Sequence, residues 1–300
     1  MISVAVLGAS GRVGRLLVAE WCLRRPRLNL RYQARVPGGP EEFAWQLSDG
    51  VAALAKGIGP GVDVLIVLSG VTPAPGADYD LNGTLALAAF EAAQIAGVGH
   101  VLIASSSAVY GRGQGIALAE NAPLAPLNPY GVAKAEMERA CQAAHSRFGD
   151  DGPGLTLLRI GNVAGTDQFF RNIAQAAAPV RLDRFADGSG PVRSYIGPGC
   201  LARVLAKLCE RAAQCGQGAD RLPMVLNIGA PGGGVDMAAF LPALQAAGYR
   251  GVERVPAPDQ SIAVLRLDVA CLEQLHRFAP GDSDPARMVA EWLELGGGRA

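Results

Sequence analysis

Two stretches of this chain carry side chains able to do chemistry together. Ser105-Ser106-Ser107 closes a short apolar run, Val101-Leu102-Ile103-Ala104, and Tyr130 is followed four residues later by Lys134. A free tyrosine titrates near 10 and is a poor base at neutral pH until a neighbouring cation stabilises its phenolate. A lysine four residues on supplies that cation, because positions i and i+4 share one face of a helix. The chain has six tyrosines but only three lysines (Lys56, Lys134 and Lys207), so chance would place about 0.06 such pairs in it. The pair therefore reads as a proton-transfer device. The three hydroxyls fit beside it if Val101–Ala104 is a strand of an open parallel sheet, where ligands collect at the carboxyl ends of strands.

The amino end supplies a place for an anionic cofactor. Val4-Ala5-Val6-Leu7 is an apolar strand that enters Gly8-Ala9-Ser10-Gly11-Arg12-Val13-Gly14, and an amphipathic stretch, Arg15 to Leu23, follows. Gly8, Gly11 and Gly14 permit a tight turn and close approach of backbone to ligand, and the helix N-terminus offers unpaired N–H groups and partial positive charge. Ser10, Arg12 and Val13 share that loop. The period-two strand Leu28 to Arg35 ends 21 residues after Gly14, where an NAD-binding chain carries an acid for the ribose 2′-hydroxyl. Arg35 there, with Arg12 in the loop, suits a 2′-phosphate, so NADP is favoured over NAD. Asp49, just past an expected third strand at Phe43–Leu47, is a candidate for the adenine side of the pocket. Leu68 and Ser69 join the expected cofactor contacts at the end of the buried run Val62–Leu68.

These groups need a scaffold, and the hydrophobic pattern describes one. Apolar runs at residues 62–68, 101–104 and 155–160 read as buried parallel strands, with helices expected at Asn82–Ala96 and from Tyr130 to about Ala144. Alternation of strand and helix to about residue 165 predicts an α/β doubly wound parallel sheet of Rossmann type. A helix at Leu201–Ala213 and a strand at Met224–Ile228 return the chain to that sheet. The dinucleotide-binding domain is therefore expected at 1–165 plus about 197–228. Beyond a glycine turn after Pro231, helices near Met237–Ala247 and Arg287–Leu295 and a strand around Ala263–Leu267 predict a small, mainly C-terminal substrate-binding lobe, about 166–196 plus 229–300. Residues 296–300 read as a frayed end.

Bulk properties narrow the function. Twenty-seven basic residues balance 27 acidic ones, so no net field draws nucleic acid or an anionic membrane. Six cysteines without C-x-x-C pairs and three dispersed histidines argue against a zinc site or a disulfide framework, and for reduced thiols in a cytoplasmic protein. No run reaches the roughly 18 apolar residues of a membrane helix, and the amino end is strand-like with no basic leader. A soluble protein is expected, with neither nucleic acid, membrane nor metal as partner.

The ordered landmarks resemble the NAD-dependent epimerase/dehydratase family, the extended branch of the short-chain dehydrogenase/reductases. They are GASGRVG at 8–14, Asn82-Gly83-Thr84, SSSAVYG at 105–111, Tyr130-x-x-x-Lys134 with Glu138, LRIGNVAG at 158–165, DGSGPVRSYI at 187–196 and Leu226-Asn227-Ile228-Gly229. The resemblance covers the first 230 residues well and the rest loosely. It implies catalytic Ser106, Tyr130 and Lys134: a Tyr130 of lowered pKa exchanges a proton with a substrate hydroxyl as hydride passes to or from NAD(P), Lys134 also binds the nicotinamide ribose, and Ser106 bonds the substrate oxygen. Ser107, Asn162 and Arg193 are the implied contacts to a nucleotide-linked sugar, a guanidinium fork suiting a diphosphate. Members that dehydrate the sugar carry an acid pair after the catalytic hydroxyl residue; Ser107 and Ala108 stand there, which disfavours a 4,6-dehydratase. An epimerase or a net NADPH-dependent reductase of a keto-sugar or other small carbonyl remains, against a non-catalytic redox sensor that would lack Tyr130 or Lys134. A homodimer through the helices at about 82–96 and 130–144 is also implied. Departures from the family pattern occur at Gln46 and Cys200, where an aspartate is usual, and near 255–259, where its late arginine has no clear counterpart.

Overall fold

Apolar runs cut by glycine set the order of elements in the chain, seen here as a computed structural model that describes residues 1–113, 115–175, 179–214 and 222–297. The first run forms β1 (Ile2–Leu7), whose Val4 to Leu7 are wholly buried, and α1 (Arg12–Arg24) follows. Helix α1 starts three residues before the amphipathic stretch because Gly14 adds no side chain: a Cβ there would lie 2.2 Å from the Gly8 carbonyl oxygen. Next come β2 (Leu28–Ala34), β3 (Glu42–Ala44), α2 (Gly50–Ile58), β4 (Val64–Val67), α3 (Leu81–Ala96), β5 (His100–Ser106), β6 (Ala117–Leu118) and α4 (Pro129–Phe148). The chain continues through β7 (Gly154–Ile160), β8 (Asn162–Val163), α5 (Gln168–Gln175), β9 (Val180–Arg184), β10 (Val192–Arg193), β11 (Tyr195–Ile196) and α6 (Pro198–Gln214). It ends with β12 (Val225–Ile228), β13 (Val235–Asp236), α7 (Leu241–Ala246), β14 (Val252–Pro256), β15 (Val264–Leu267), α8 (Ala270–Leu275) and α9 (Pro285–Glu294).

The central sheet has seven strands in the order β12-β7-β5-β4-β1-β2-β3. Parallel pairing runs from β3 through β2, β1 and β4 to β5, with Val4 opposite both Leu30 and Val64. The strand order reverses between β1 and β4, so the loops leaving those two strands flank the crevice where a doubly wound sheet takes its ligand. Helices α3 and α4 bury Ala89, Phe90 and Ala93 with Met137, Cys141 and Ala144 in one core with Leu65, Val67 and Ile103.

By contacts the chain divides into two units, one of residues 1–111, 124–159 and 204–226 and the other of 112–123, 160–203 and 227–300. The second is built of short strand pairs: a four-stranded sheet β13-β10-β15-β6 and two-stranded sheets β11-β8 and β14-β9. Its centre is aromatic. Phe170 lies 5.2 Å from Phe240 and 5.1 Å from Trp292, ring to ring, in edge-on geometry that adds to the gain from burial.

Several boundaries depart from expectation. The third strand is Glu42–Ala44, not 43–47, because the chain turns at Gln46, whose N–H is held by Asp49 in a reciprocal cap. Strand β2 stops at Ala34, one residue short of Arg35. Over 237–247 a 3-10 turn, Met237–Phe240, precedes α7, since Pro242 fits only a first helical turn. Gly296 and Gly297 close a turn whose last N–H meets the Trp292 carbonyl at 2.9 Å, while 298–300 lie outside the described residues, as does Cys215. The other five cysteines are free thiols. Among the described residues no helix is long and apolar enough to cross a membrane, and no cluster could hold a metal ion.

Candidate functional site

The glycine loop is held from three sides. Gly8 takes φ +83°, where only glycine is unstrained, and a Cβ on it would lie 2.5 Å from the Ser69 backbone nitrogen. Its N–H donates to Gln33 Oε1 (3.2 Å), and Gln33 Nε2 donates to the Trp45 carbonyl (2.7 Å). The Gly11 N–H closes the turn on the Gly8 carbonyl (2.9 Å). No side chain caps α1 at Gly11 and its first turn holds no acid. The helix terminus thus keeps the backbone donors and partial charge that receive a phosphate, and these residues fit a dinucleotide cofactor.

Across the crevice, the segment after β4 is pinned by Asn82. Asn82 Oδ1 accepts from the Val71 N–H (3.1 Å), and Asn82 Nδ2 donates to the carbonyls of Val71 (3.1 Å) and Tyr79 (3.0 Å). A Cβ at Gly70 would meet Asn82 Oδ1 at 2.7 Å and Lys134 Nζ at 3.4 Å, so bare backbone lies against the lysine. The Arg12 guanidinium reaches from the glycine loop to donate to the Thr72 hydroxyl.

Strand β5 and helix α4 deliver the three catalytic candidates. Asn128 caps α4 by accepting from the Gly131 N–H (2.8 Å), and Pro129 takes the first turn, where its missing N–H costs nothing. Gly131 lets α4 approach the turn after β5, since a Cβ there would lie 2.7 Å from the Ala108 carbonyl oxygen. The result is a hydrogen bond between Tyr130 and Ser106, whose Oγ also accepts from the Ala108 N–H (3.2 Å). Tyr79 stacks edge-on against Tyr130 at 6.0 Å. Lys134, 5 % exposed, donates to the Ala104 carbonyl (2.9 Å) and approaches Met137 Sδ (3.6 Å). Its burial lowers its pKa to about 8.

Without a cofactor, burial holds the Tyr130 phenol above its ordinary value, and the Ser106 hydrogen bond and the positive field of Arg12 pull it partly back. Lys134 turns its ammonium toward the end of β5.

Beneath them lies a satisfied polar network. Glu138 accepts from Ser105 Oγ (2.5 Å) and from Arg159 Nη2 (2.7 Å), and Arg159 Nη1 donates to the Tyr110 hydroxyl (2.9 Å) while its guanidinium sits 4.9 Å over that ring. Ser107 lies half-buried in the 3-10 turn after β5. Arg35 is exposed directly after β2, and exposed Asp49 binds the Gln46 N–H at 2.9 Å.

In the second unit the two implied substrate contacts have internal partners. Asn162 Nδ2 donates to Asp167 Oδ2 (2.8 Å); Asp167 also accepts from the Tyr195 hydroxyl and from the Phe170 N–H (3.0 Å), and burial raises its pKa. Arg193 donates to the carbonyls of Val192 (2.8 Å), Ile262 (2.7 Å) and Ala263 (3.3 Å). Sequence reasoning missed Gln33, Thr72, Tyr79 and Asp167. Only Gln33 carried a signal, an amide adjoining buried Tyr32 at an inward position of β2.

This glycine-loop sheet with its β5 and α4 side chains defines a short-chain dehydrogenase type of protein, and residues 4–199 place the chain in the NAD dependent epimerase/dehydratase family. The chain belongs to that family. Its relatives include a UDP-glucose 4-epimerase from Azospirillum brasilense, 38% identical over 94 residues, which are 30% of this chain and 25% of that one. Another, from Lactobacillus helveticus, is 38% identical over 87 residues, 29% of this chain and 26% of that one. The chain thus spans about a quarter of the length of the curated relatives it matches. In fold it is similar to the UDP-glucose 4-epimerase from Bifidobacterium longum in complex with NAD+ and UDP (TM-score 0.76, 18% identity, 99% of this chain and 100% of that one). It is also similar to a dTDP-glucose 4,6-dehydratase from Streptomyces venezuelae with NAD bound (TM-score 0.73, 21% identity, 98% and 97%).

Proposed function

We propose that this chain is an NAD(P)-dependent epimerase or oxidoreductase that transfers hydride at a carbinol of a nucleotide-linked sugar. The observation that carries the reading is Tyr130 hydrogen-bonded to Ser106, one helical turn from buried Lys134, opposite the glycine loop on the same sheet. Bound nicotinamide would supply the hydride acceptor and, when oxidised, a positive charge. The chain's own residues do the rest. Ser106 Oγ hydrogen-bonds the substrate oxygen and aligns it with the phenol. Tyr130 takes the proton from that oxygen, or returns it in reduction, a contribution of about 10²–10⁴-fold. Lys134 holds positive charge beside the phenolate and keeps an N–H for the ribose, using one strong donor on Ala104. The glycine loop and the α1 terminus hold the pyrophosphate, with Ser10, Val13, Leu68 and Ser69 around it.

Finer assignments belong to the same proposal. Preference for NADP rests on Arg35 and on a β2 that ends Gln33-Ala34-Arg35 without an acid. Dehydration is disfavoured by Ser107 and Ala108, which can neither protonate a leaving hydroxyl nor abstract a carbon-bound proton. The UDP-glucose 4-epimerases among the relatives support the nucleotide-sugar class, with Ser107, Asn162 and Arg193 as the residues to contact it. A homodimer through α3 and α4 completes the reading.

Thermal-shift measurement of the purified protein against NAD, NADP and a panel of nucleotide sugars tests it. A ligand that binds only the folded state raises stability by about 1.4 kcal/mol per tenfold concentration above its Kd. A larger shift with NAD than with NADP removes the NADP preference, and no shift with either removes the enzyme. During turnover, steady loss of NADPH absorbance marks a net reductase, and none marks an epimerase.

A further inference from the structure

Ser106 lies between two clamped residues. Ser105, immediately before it, donates its hydroxyl to Glu138 Oε1 (2.5 Å), and Tyr110, which ends the 3-10 turn Ser107–Tyr110, accepts from Arg159 Nη1 (2.9 Å). Arg159 closes the circuit by donating Nε to both carboxylate oxygens of Glu138 (3.1 Å each) and Nη2 to Oε2 (2.7 Å). All four residues are buried and belong to one unit. Residues 105–110 are thus one side of a closed circuit whose other sides are β7, through Arg159, and α4, through Glu138.

The circuit has a rigid corner. A guanidinium is planar, with its N–H groups in a fixed fork, so the bonds to Glu138 set the direction of the bond to Tyr110, whose ring lies 4.9 Å from the guanidinium carbon. Glu138 stands four residues after Lys134 and eight after Tyr130 on the same helix. Nearer the start of α4, Gly131 lets the helix close on the Ala108 carbonyl, in the middle of the turn. Ser106 Oγ, tied to the Ala108 N–H (3.2 Å) and to Tyr130, sits between these two fixings.

We propose, resting on the enzyme reading above, that Ser105 and Tyr110 are positioning residues for hydride transfer: through Glu138 and Arg159 they hold the Ser106 turn against α4, so that Ser106 and Tyr130 are aligned before substrate arrives. A general base works within about 2.6–3.2 Å of the proton-bearing atom, and a misplacement of about 1 Å costs about 10²-fold. Both charges are satisfied within the circuit, which therefore acts as a frame and takes no part in the proton transfer.

The test uses Tyr110→Phe and Ser105→Ala, each of which removes one hydroxyl and keeps the Glu138–Arg159 pair. Protein isotopically labelled at tyrosine Cζ is observed by NMR with and without NAD, and the Tyr130 resonance is assigned by its loss in Tyr130→Phe. Ser106→Ala gives the shift that marks loss of the Ser106–Tyr130 hydrogen bond. Each variant should move the Tyr130 resonance in that same direction, and should move it no further when combined with Ser106→Ala. With a sugar that the wild type turns over, kcat should fall about tenfold, short of the cost of a full 1 Å misplacement, with KM nearly unchanged. In the Ser106→Ala background the fall should be less than about twofold. A resonance unmoved in one variant removes that residue from the role, and unmoved in both it overturns the proposal. An equal fall in kcat with Ser106 and without it also overturns it, because a general loss of structure does not act through Ser106. A wild type that transfers no hydride with any nucleotide sugar defeats the enzyme reading, while the resonance still decides whether the circuit sets Ser106 against Tyr130.

Discussion

In the unit that carries the glycine loop, Ser106 and Tyr130 are hydrogen-bonded to each other and Lys134 is held on the Ala104 carbonyl, with hydrogen-bonding capacity left over. In the other unit Asn162, Asp167, Tyr195 and Arg193 are bound to partners of their own unit, and Arg193 gives three hydrogen bonds to backbone carbonyls. The first arrangement keeps polar atoms for a reacting molecule. The second uses polar atoms to hold short strands that could not pair by register alone. A motif position shared with a family can therefore serve binding, packing or both, and the partners a side chain already has decide which experiment separates them.

The comparison breaks most visibly at Tyr130. Tyr130→Phe should cut turnover by about 10³-fold, roughly 4 kcal/mol of barrier, with NAD affinity nearly unchanged; steady-state rates beside a binding titration check both halves. Glu138→Gln leaves Arg159 buried with half its partner and should lower stability by about 3–5 kcal/mol, read as a lower denaturant midpoint. Arg193→Met sharpens the contrast. If its carbonyl bonds are its main work, stability falls by about 1–3 kcal/mol and nucleotide-sugar affinity changes little; a loss of affinity at constant stability would make it a substrate ligand.

The smallest effect is a slope. Lys134 binds its proton less tightly folded (about 8) than unfolded (10.5), so between those values the unfolded chain carries more protons. Its contribution to stability therefore rises with pH across that window. Buried Cys141 and Tyr32, whose pKa values burial raises, pull the opposite way. The difference between wild type and Lys134→Met, in denaturant midpoints taken from pH 8 upward, isolates the lysine; a difference independent of pH would contradict its low folded pKa.

Much of the first unit was legible because its signals are local. The apolar run of β1, the glycines after it and the Tyr130–Lys134 spacing each sit within a few residues, and Pro129 marks the helix that presents the pair. The second unit has no such period. Strand β9 pairs with β14 and β6 with β15, two-to-five-residue segments far apart in the chain, whose register comes from tertiary contacts. Asp167 gave no signal because its role, accepting from Asn162, Tyr195 and the start of α5, is made by residues that only the fold gathers. The Arg12–Thr72 bond escaped for the same reason, spanning 60 residues with no pattern between them.

The central claim is hydride transfer governed by Tyr130. Its most direct measurement is rapid mixing of the NAD(P)-loaded protein with nucleotide-linked hexoses while the reduced-nicotinamide band is followed, in wild type and in Tyr130→Phe. The account expects the band to form in wild type with at least one such sugar and to form about 10³-fold more slowly in the variant. Equal rates in the two proteins, or no band with a protein that binds both NAD(P) and the sugar, would contradict it.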